Sequence, residues 1–409
     1  MQSISKFVTH NKIELFVALS ALSIVLGFLP DFTLVYYAAL FLLAGFSIRN
    51  KETLNIVPVV LLLVCSLSII TCPFSALFKS WQRFVLFSIL MIAVFPLFDS
   101  ERLLQVRYRI FKLAVYGCAI IGVTAVPCYL LGINFMHSFW RGQDYLNSIG
   151  LFGGLTKHSM LLGIISSIGS IFLLYKTLLA DCTKYKIIYA SSTFLSMCGT
   201  FVSGSRSAFL ANLLGCIVLV FLFFNGQFNR IIKVLLAISI LGLFTYPLYR
   251  PYLNAVAAKQ AKNINKGSTF SSRDALIEHR ITEFENNTVN GIGFVAINPV
   301  YEEYDLQTGT IETGSSWLSV LSMTGILGTI PMLIIVFKSV RNLYKKSREC
   351  YVSCLHCSIL VVFMIHMIVE GYIFSAGNFL CFLFWLTLGL GYSDYVLFPS
   401  CQDDQICEE

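Results

Sequence analysis

The polar segment Tyr249–Ser315 interrupts a chain that is otherwise strongly apolar, and it contains the run SSRDALIEHRITEF at Ser271–Phe284. A long connector of this kind serves function or is disordered. The run has capping serines followed by Asp274 in the first turn, which predicts a helix rather than disorder. Arg273 and Arg280 fall two turns apart on one face of that helix, about 10 Å from each other. This face is either an anion site or a solvated basic surface.

The composition outside this segment indicates a membrane protein. Hydrophobic residues make up 56% of the chain and charged residues only 12%, whereas soluble domains have about 25% charged residues. Apolar runs of roughly 18 residues or more recur along the chain, and each is long enough to cross a bilayer as a helix. The sequence therefore predicts an all-α polytopic membrane protein with about twelve transmembrane helices. The predicted spans are Ile13–Phe28, Phe32–Phe46, Leu54–Ile70, Trp81–Phe98, Ile110–Leu131, Leu151–Tyr175, Ile187–Val202, Ser207–Phe224, Ile231–Leu248, Trp317–Phe337, Tyr351–Val369 and Asn378–Tyr392.

The spans divide the chain into transmembrane residues 1–248, a large loop at 249–315, transmembrane residues 316–395 and a tail at 396–409. Basic residues concentrate in alternate short loops, which predicts that those loops and both termini are cytoplasmic and that the large loop is periplasmic. Because the net charge of +7 resides mainly in these loops, we expect membrane lipids rather than nucleic acid as partners. The basic loops contain Arg49 and Lys51; Arg102, Arg107 and Arg109; Lys176, Lys184 and Lys186; Arg230; and the segment Lys338–Arg348.

The sequence gives little support to a metal or a cofactor. Most of the thirteen cysteines lie within predicted spans, where cysteine packs as a small hydrophobe, and the large loop has none. Cys354, His356 and Cys357 resemble half of a zinc site, but the second half is missing. The glycine pair Gly291 and Gly293 lacks the third glycine and the strand–helix context of a dinucleotide-binding loop. We expect neither a metal nor a cofactor.

The turn Ser203-Gly204-Ser205-Arg206 is a candidate anion site. Arg206 stands at the start of a span on the predicted outer side. This position is unusual in two ways, because arginine is favoured on the inner side and a cation is unfavourable at the positive end of a helix dipole. The free N–H groups of a helix start, with Ser205 as its cap and a guanidinium beside it, suit a phosphate. An arginine that extends to lipid headgroups is the alternative.

A second helix start follows the large loop. Ser315 and Ser316 precede the span at Trp317, so the free N–H groups of that span point toward the loop. Two helix starts and the three arginines Arg206, Arg273 and Arg280 can therefore converge outside the membrane. Such a cluster would stabilise a diphosphate leaving group. The alternative is that the three arginines never meet.

Three pieces of the chain resemble motifs of the bacterial O-antigen ligase and O-antigen polymerase family. They are Ser203–Ala211, the run from Ser272-Arg273-Asp274 to Gly291–Phe294, and Ser315–Gly328. Their order and spacing around one long loop carry the resemblance, which extends from about residue 187 to residue 328.

The resemblance implies a metal-independent membrane glycosyltransferase of the inner membrane. Its fold would be helical and GT-C-like, with a periplasmic catalytic loop that contains short helices. Its donor would be an undecaprenyl-diphosphate-linked glycan, and its acceptor would be a second glycan. A chain-length regulator would be a further partner. In that family, arginines at the positions of Arg206 and Arg273 are expected to hold the donor diphosphate.

One departure from the family pattern argues against the ligase assignment and against a histidine base. The resemblance implies that ligase members of the family usually carry His-Asn just before the span that begins here at Trp317, whereas this chain has Gly314-Ser315 at that place. Glu312 is then the nearest group able to accept a proton, although it could instead pair with an arginine. We expect Glu312, Arg206 and Arg273 to be catalytic. The expected substrate-binding residues are Arg206, Arg273, Arg280, Ser205, Ser315 and Ser316.

The expected function is polymerisation of lipid-linked repeat units into a surface polysaccharide such as O-antigen, capsule or exopolysaccharide. One alternative is an O-antigen ligase, which transfers finished glycan to the lipid A core of lipopolysaccharide or to a protein. The other is a lipid-linked oligosaccharide flippase. A transporter should carry charged residues deep within several spans, whereas the outer charges here cluster at span ends and in one loop.

Overall fold

The computed structural model describes residues 12–136, 152–227, 229, 232, 274–300, 311 and 313–395. Within these ranges the chain forms twelve helices and one two-stranded sheet. In chain order the helices are α1 (Lys12–Ser23), α2 (Thr33–Arg49), α3 (Ile56–Thr71), α4 (Ser80–Val94), α5 (Glu101–Leu130), α6 (Ser159–Leu179), α7 (Thr183–Val202), α8 (Arg206–Phe223), α9 (Asp274–Asn286), α10 (Ser316–Lys346), α11 (Tyr351–His366) and α12 (Phe379–Tyr392). The strands β1 (Thr53–Leu54) and β2 (Phe98–Asp99) pair antiparallel.

The helices follow the predicted spans closely. Eleven predicted spans each overlap one helix, and the twelfth, Ile231–Leu248, lies outside the described residues except for residue 232. The tail 396–409 also lies outside them. Among the helices that are described, α5, α6, α8 and α10 are long and apolar enough to cross a membrane. The chain is thus a helical membrane protein, and the figure of twelve crossings stays a prediction. The remaining helix, α9, occupies the polar segment where Ser271–Phe284 predicted one.

Helix α5 begins earlier than its apolar run, so part of a predicted loop is helical. Its first turn is capped by Ser100, whose hydroxyl accepts the N–H of Leu103 at 3.2 Å. Arg107, predicted to lie in a basic loop, is instead buried in the helix. Its guanidinium pairs with Asp99 at 3.2 Å and donates to two neighbouring carbonyls. The hydrophobic pattern does not predict these first turns of α5, because a charged residue reads as solvent-exposed. Arg107 is instead buried, and its charge is balanced by Asp99.

The helix ends around Asp99 form one joined structure, which we call the basic end. Ser393, just after α12, donates to the Asp99 carboxylate at 2.7 Å. Lys346 at the end of α10 donates to the carbonyl of Ser393, and Lys338 pairs with Asp394 at 2.9 Å. Burial raises the pKa of Asp99 above its ordinary value of 3.8, although Ser393 and Arg107 oppose that shift. The ends of α4, α5, α10 and α12 are thereby held together.

Helix α12 forms the centre of the bundle. All of its residues, Phe379–Tyr392, are buried, as expected for a helix that is apolar on every side. Trp385 packs edge-on against Phe87 and Phe95 at 5.5 Å, and its indole N–H donates to the Ile373 carbonyl at 2.8 Å. The indole group therefore has its polar atom satisfied in the apolar interior.

Small residues allow α5, α6 and α7 to approach closely. Ser196 of α7 donates to the carbonyl of Ser166 of α6 at 2.9 Å. A Cβ on Gly199 would stand 2.9 Å from the carbonyl oxygen of Gly122 and from Ala125. Contacts of this kind are typical of membrane helices, because close packing and side-chain hydrogen bonds replace the hydrophobic effect there.

Candidate functional site

Two antiparallel helices define the end of the bundle opposite the basic end. Phe223 at the end of α8 stacks on Tyr351 at the start of α11, with ring centroids 4.7 Å apart. Each helix then rises roughly 25 Å. Arg206 at the start of α8 and His366 at the end of α11 therefore lie together at the far end. We call it the motif end, because two predicted motifs begin there.

The turn before α8 places Arg206 at the first helical position, as the sequence predicts. Gly204 has φ of +69°, a left-handed conformation that reverses the chain between α7 and α8. Ser205 caps α8, and its hydroxyl accepts the N–H of Ala208 at 3.4 Å. The Arg206 side chain is exposed, so it is accessible at the motif end. Its contact with a diphosphate stays a prediction.

The start of α6 supports this turn. A Cβ on Gly163, one turn into α6, would stand 2.7 Å from the Ser203 hydroxyl and 2.9 Å from Ser205. His158 caps α6, and its Nδ1 accepts the N–H of Met160 at 3.2 Å. The starts of α6 and α8 therefore pack side by side.

Ser315 and Ser316 join α10 to the end of α11. Ser315 caps α10 and donates to the Met367 carbonyl at 3.4 Å. The Ser316 hydroxyl donates to the Glu370 carbonyl at 2.6 Å and accepts the N–H of Tyr372 at 3.0 Å. Both serines are buried, so the structure gives them internal partners. Direct contact with substrate, which the sequence predicts for both, stays a prediction.

Arg280 on α9 is buried rather than presented to solvent. Its guanidinium lies 2.8 Å from the Glu283 carboxylate, and both side chains are fully buried. Glu283 also accepts the N–H of Asn298 at 2.7 Å, which ties α9 to the chain that follows it. The sequence predicts that Arg273 and Arg280 share an exposed face. At Arg280 this is wrong, because the guanidinium is buried and its charge is already balanced by Glu283.

The start of α9 lies beside the start of α10. Gly314 has φ of +71°, and a Cβ there would stand 3.0 Å from the Leu276 Cβ. Arg273 precedes α9 and Glu312 precedes Gly314, but both lie outside the described residues.

The segment Thr288–Phe294 is hydrogen-bonded into a break in α10, a feature that we call the interlock. At Gly325 the helix leaves helical geometry, with φ of +61° and ψ of −162°. Carbonyls and N–H groups on both sides of the break bond to the loop instead of to α10 itself, which satisfies them in an apolar environment. The interlock has four backbone hydrogen bonds: Ile292 N–H to Ser322 C=O (2.8 Å), Gly293 N–H to Met323 C=O (3.1 Å), Ile326 N–H to Thr288 C=O (2.9 Å) and Leu327 N–H to Val289 C=O (3.3 Å).

Glycines make the interlock possible. Gly291 has φ of +70°, and a Cβ there would overlap the Met323 carbonyl; a Cβ on Gly325 would overlap the Val289 carbonyl. Phe294, fully buried, anchors the loop against Phe374 at 4.9 Å. The two glycine pieces are separate motifs in the sequence, and the structure brings them into direct contact.

A buried tyrosine and histidine complete the motif end. The Tyr372 hydroxyl lies 3.2 Å from His366 Nδ1. Burial, with the nearby Glu370 carboxylate, holds the pKa of Tyr372 well above its ordinary value of 10. Tyr372 therefore remains a protonated phenol able to donate a hydrogen bond. Within the part of the chain that the structure describes, no three His, Cys, Asp or Glu residues are grouped to hold a metal ion.

Comparison with known proteins finds one family model that matches part of the chain, including this end of the bundle. Residues 191–333 match the model of a family described as O-antigen ligase. The match covers roughly a third of the chain and contains α8, α9, both halves of the interlock and the start of α10. It confirms the resemblance predicted from the motifs. Curated proteins gave no match.

Proposed function

We propose that this chain, whose residues 191–333 match the O-antigen ligase family model, polymerises undecaprenyl-diphosphate-linked repeat units into a surface polysaccharide. The reaction would take place at the motif end, on the periplasmic face of the inner membrane. One observation carries the proposal: the family match covers the region in which Arg206 starts one helix and Ser315 caps another at the same end of the bundle.

The proposed step is a glycosyl transfer between two lipid-linked glycans. A sugar hydroxyl at the nonreducing end of the acceptor attacks the anomeric carbon of the donor. A new glycosidic C–O bond forms, and the C–O bond to the donor diphosphate breaks. The hydroxyl proton passes to a base, and undecaprenyl diphosphate leaves with the electron pair.

The roles of the arginines follow from charge. Arg206, exposed at a helix start, is suited to bind the diphosphate as its negative charge grows. We assign the same role to Arg273, which immediately precedes α9. Arg280 should contribute less, because Glu283 already balances its charge.

Glu312 is the proposed base. Positioned bases accelerate such attacks by roughly 10²–10⁴-fold. Glu312→Gln keeps the shape but removes the basicity, so this variant should bind donor normally and lose turnover. Glu302→Gln and Glu303→Gln are the matched controls and should keep turnover. Full turnover in Glu312→Gln would refute this role.

The geometry at Gly314 favours polymerase over ligase. This position aligns with the histidine that the resemblance associates with ligases. Its left-handed φ and its closeness to Leu276 suit glycine and would strain any residue with a side chain. The family description favours ligase as the second candidate. A transporter is less well supported, because Arg206 is the one charged residue of α8 and the first charge in α10 is Lys338.

The test is reconstitution of the full chain in proteoliposomes with a defined lipid-linked repeat unit. A ladder of products that differ by one repeat, formed from this substrate alone, is the expected result. A single transfer that requires added lipid A core would establish the ligase. Movement of the glycan across the bilayer without bond formation would establish the transporter.

A further inference from the structure

A polar cavity at the basic end has no part in the proposed reaction. It has a volume of ≈ 600 Å³ and lies between the start of α1, the end of α2 and the first turns of α5. Its lining includes the cations Lys12, Arg102 and Arg109 and the carboxylate of Glu14. The motif end, where we propose that the reaction takes place, lies at the opposite end of the bundle.

The cavity carries excess positive charge. Three cations face one carboxylate, which leaves a formal charge of +2. Arg109 lies 3.4 Å from Glu14, whose side chain is 9% exposed, so this carboxylate offsets one cation. Arg102 donates to the Asn50 amide oxygen at 3.1 Å, and its guanidinium lies 5.3 Å from the Phe46 ring centroid. A guanidinium has five N–H donors, so these contacts use only part of its capacity.

We propose that this cavity binds the phosphate headgroup of an anionic membrane phospholipid. Guanidinium groups bind phosphate through paired N–H donors, and basic pockets between membrane helices on the cytoplasmic side commonly take lipid headgroups. The Lys/Arg pattern predicts that this end is cytoplasmic. The volume falls in the usual range of roughly 300–1,000 Å³ for small-ligand sites.

The apolar part of the lining distinguishes a lipid from a soluble phosphate. Phe46, Ile13 and Val106 line the cavity beside the cations. Ile13 is 43% exposed and Phe16, one turn further along α1, is 42% exposed, so the wall continues into a surface suited to acyl chains. A free phosphate would make no use of this surface.

The test measures binding to the purified full chain in neutral detergent. Apparent Tm is followed while short-chain phosphatidylglycerol, phosphatidylcholine or inorganic phosphate is added, because a ligand of the folded state raises Tm with concentration. We expect phosphatidylglycerol to raise Tm at concentrations at which the zwitterionic lipid and inorganic phosphate do not.

Variants then locate the effect. Arg102→Gln should lower the affinity for phosphatidylglycerol about tenfold, the usual effect of losing one charge-assisted contact. Gln105→Glu adds a carboxylate to the lining and removes no charged group, so it should also lower the affinity for the lipid. Gln105→Lys should raise that affinity. Arg341→Gln is the matched control, since Arg341 is exposed on α10 outside the cavity.

Two results would overturn the proposal. One is an unchanged phosphatidylglycerol response in both Arg102→Gln and Gln105→Glu. The other is an equal response to inorganic phosphate, which would assign the cavity to a soluble anion.

Discussion

Substitution of Gly291 by alanine tests the interlock. Gly291 has φ of +70°, a conformation that is less favourable by about 1–2 kcal/mol for a residue with a side chain. A Cβ at this position would also overlap the Met323 carbonyl. The loop cannot stay in place, so its four backbone hydrogen bonds to α10 are lost or weakened. At about 1 kcal/mol each these contribute roughly 4 kcal/mol. The total is roughly 5 kcal/mol, or on the order of 10 °C in Tm for a large domain.

Gly132 provides a matched control for backbone strain. Its φ is also +70°, but a Cβ there would meet no atom within 4 Å. Gly132→Ala therefore includes the strain without the overlap and should cost only about 1–2 kcal/mol. Gly45→Ala, in open space on α2, should be neutral or slightly stabilising.

A thiol-reactive fluorophore measures the apparent Tm of each variant in detergent, because unfolding exposes buried cysteines such as Cys65 and Cys118. The expected order of Tm is Gly45→Ala at or above wild type, then Gly132→Ala, then Gly291→Ala well below. If Gly291→Ala unfolds at the same temperature as Gly132→Ala, the interlock does not stabilise the fold and the reasoning is wrong.

Three further predictions concern α9, the basic end and the orientation of the chain. Glu283→Gln should lower the apparent Tm strongly, because breaking a buried ion pair costs about 3–5 kcal/mol. Glu285→Gln, at an exposed position on the same helix, should leave the Tm unchanged, and an equal Tm for the two variants would contradict this prediction. The raised pKa of Asp99 means that the folded protein binds its proton more tightly than the unfolded chain, so stability should fall as pH rises from 3.8 through the folded pKa. Asp99→Asn should remove that slope in a plot of Tm against pH, and an unchanged slope would exclude Asp99 as its source. With other reactive cysteines replaced, an impermeant thiol reagent applied to permeabilised outer membranes should label Glu278→Cys but not Lys345→Cys, and the reverse pattern would invert the topology.

Much of the helical framework is predictable from the sequence, because hydropathy depends on the local chain alone. Eleven predicted spans overlap helices, and the cap at Ser205 places Arg206 at a helix start. The helix in Ser271–Phe284 was also predictable, from its serine and acidic first turn. Each of these features is encoded within a few neighbouring residues.

The contacts of the candidate site were not predictable in the same way. Helical spacing shows which residues share a face but not which way that face turns, so the burial of Arg280 against Glu283 could not be foreseen. The interlock joins Gly291 to a break near Gly325, and the sequence shows two glycine pieces without showing that they bond. Ser315 likewise has its partner on another helix, at Met367.

The most direct test of the central claim is the rate of polymer formation by Arg206→Lys in proteoliposomes with a defined lipid-linked repeat unit. Lysine keeps the charge but lacks the planar fork that binds phosphate through two donors. We expect at least a tenfold loss of rate, the equivalent of about 1.4 kcal/mol, with an unchanged apparent Tm. Arg341→Lys, near the opposite end of the bundle, should polymerise normally. Full polymerisation by Arg206→Lys would contradict the account, because the exposed arginine at the start of α8 would then have no part in binding the diphosphate.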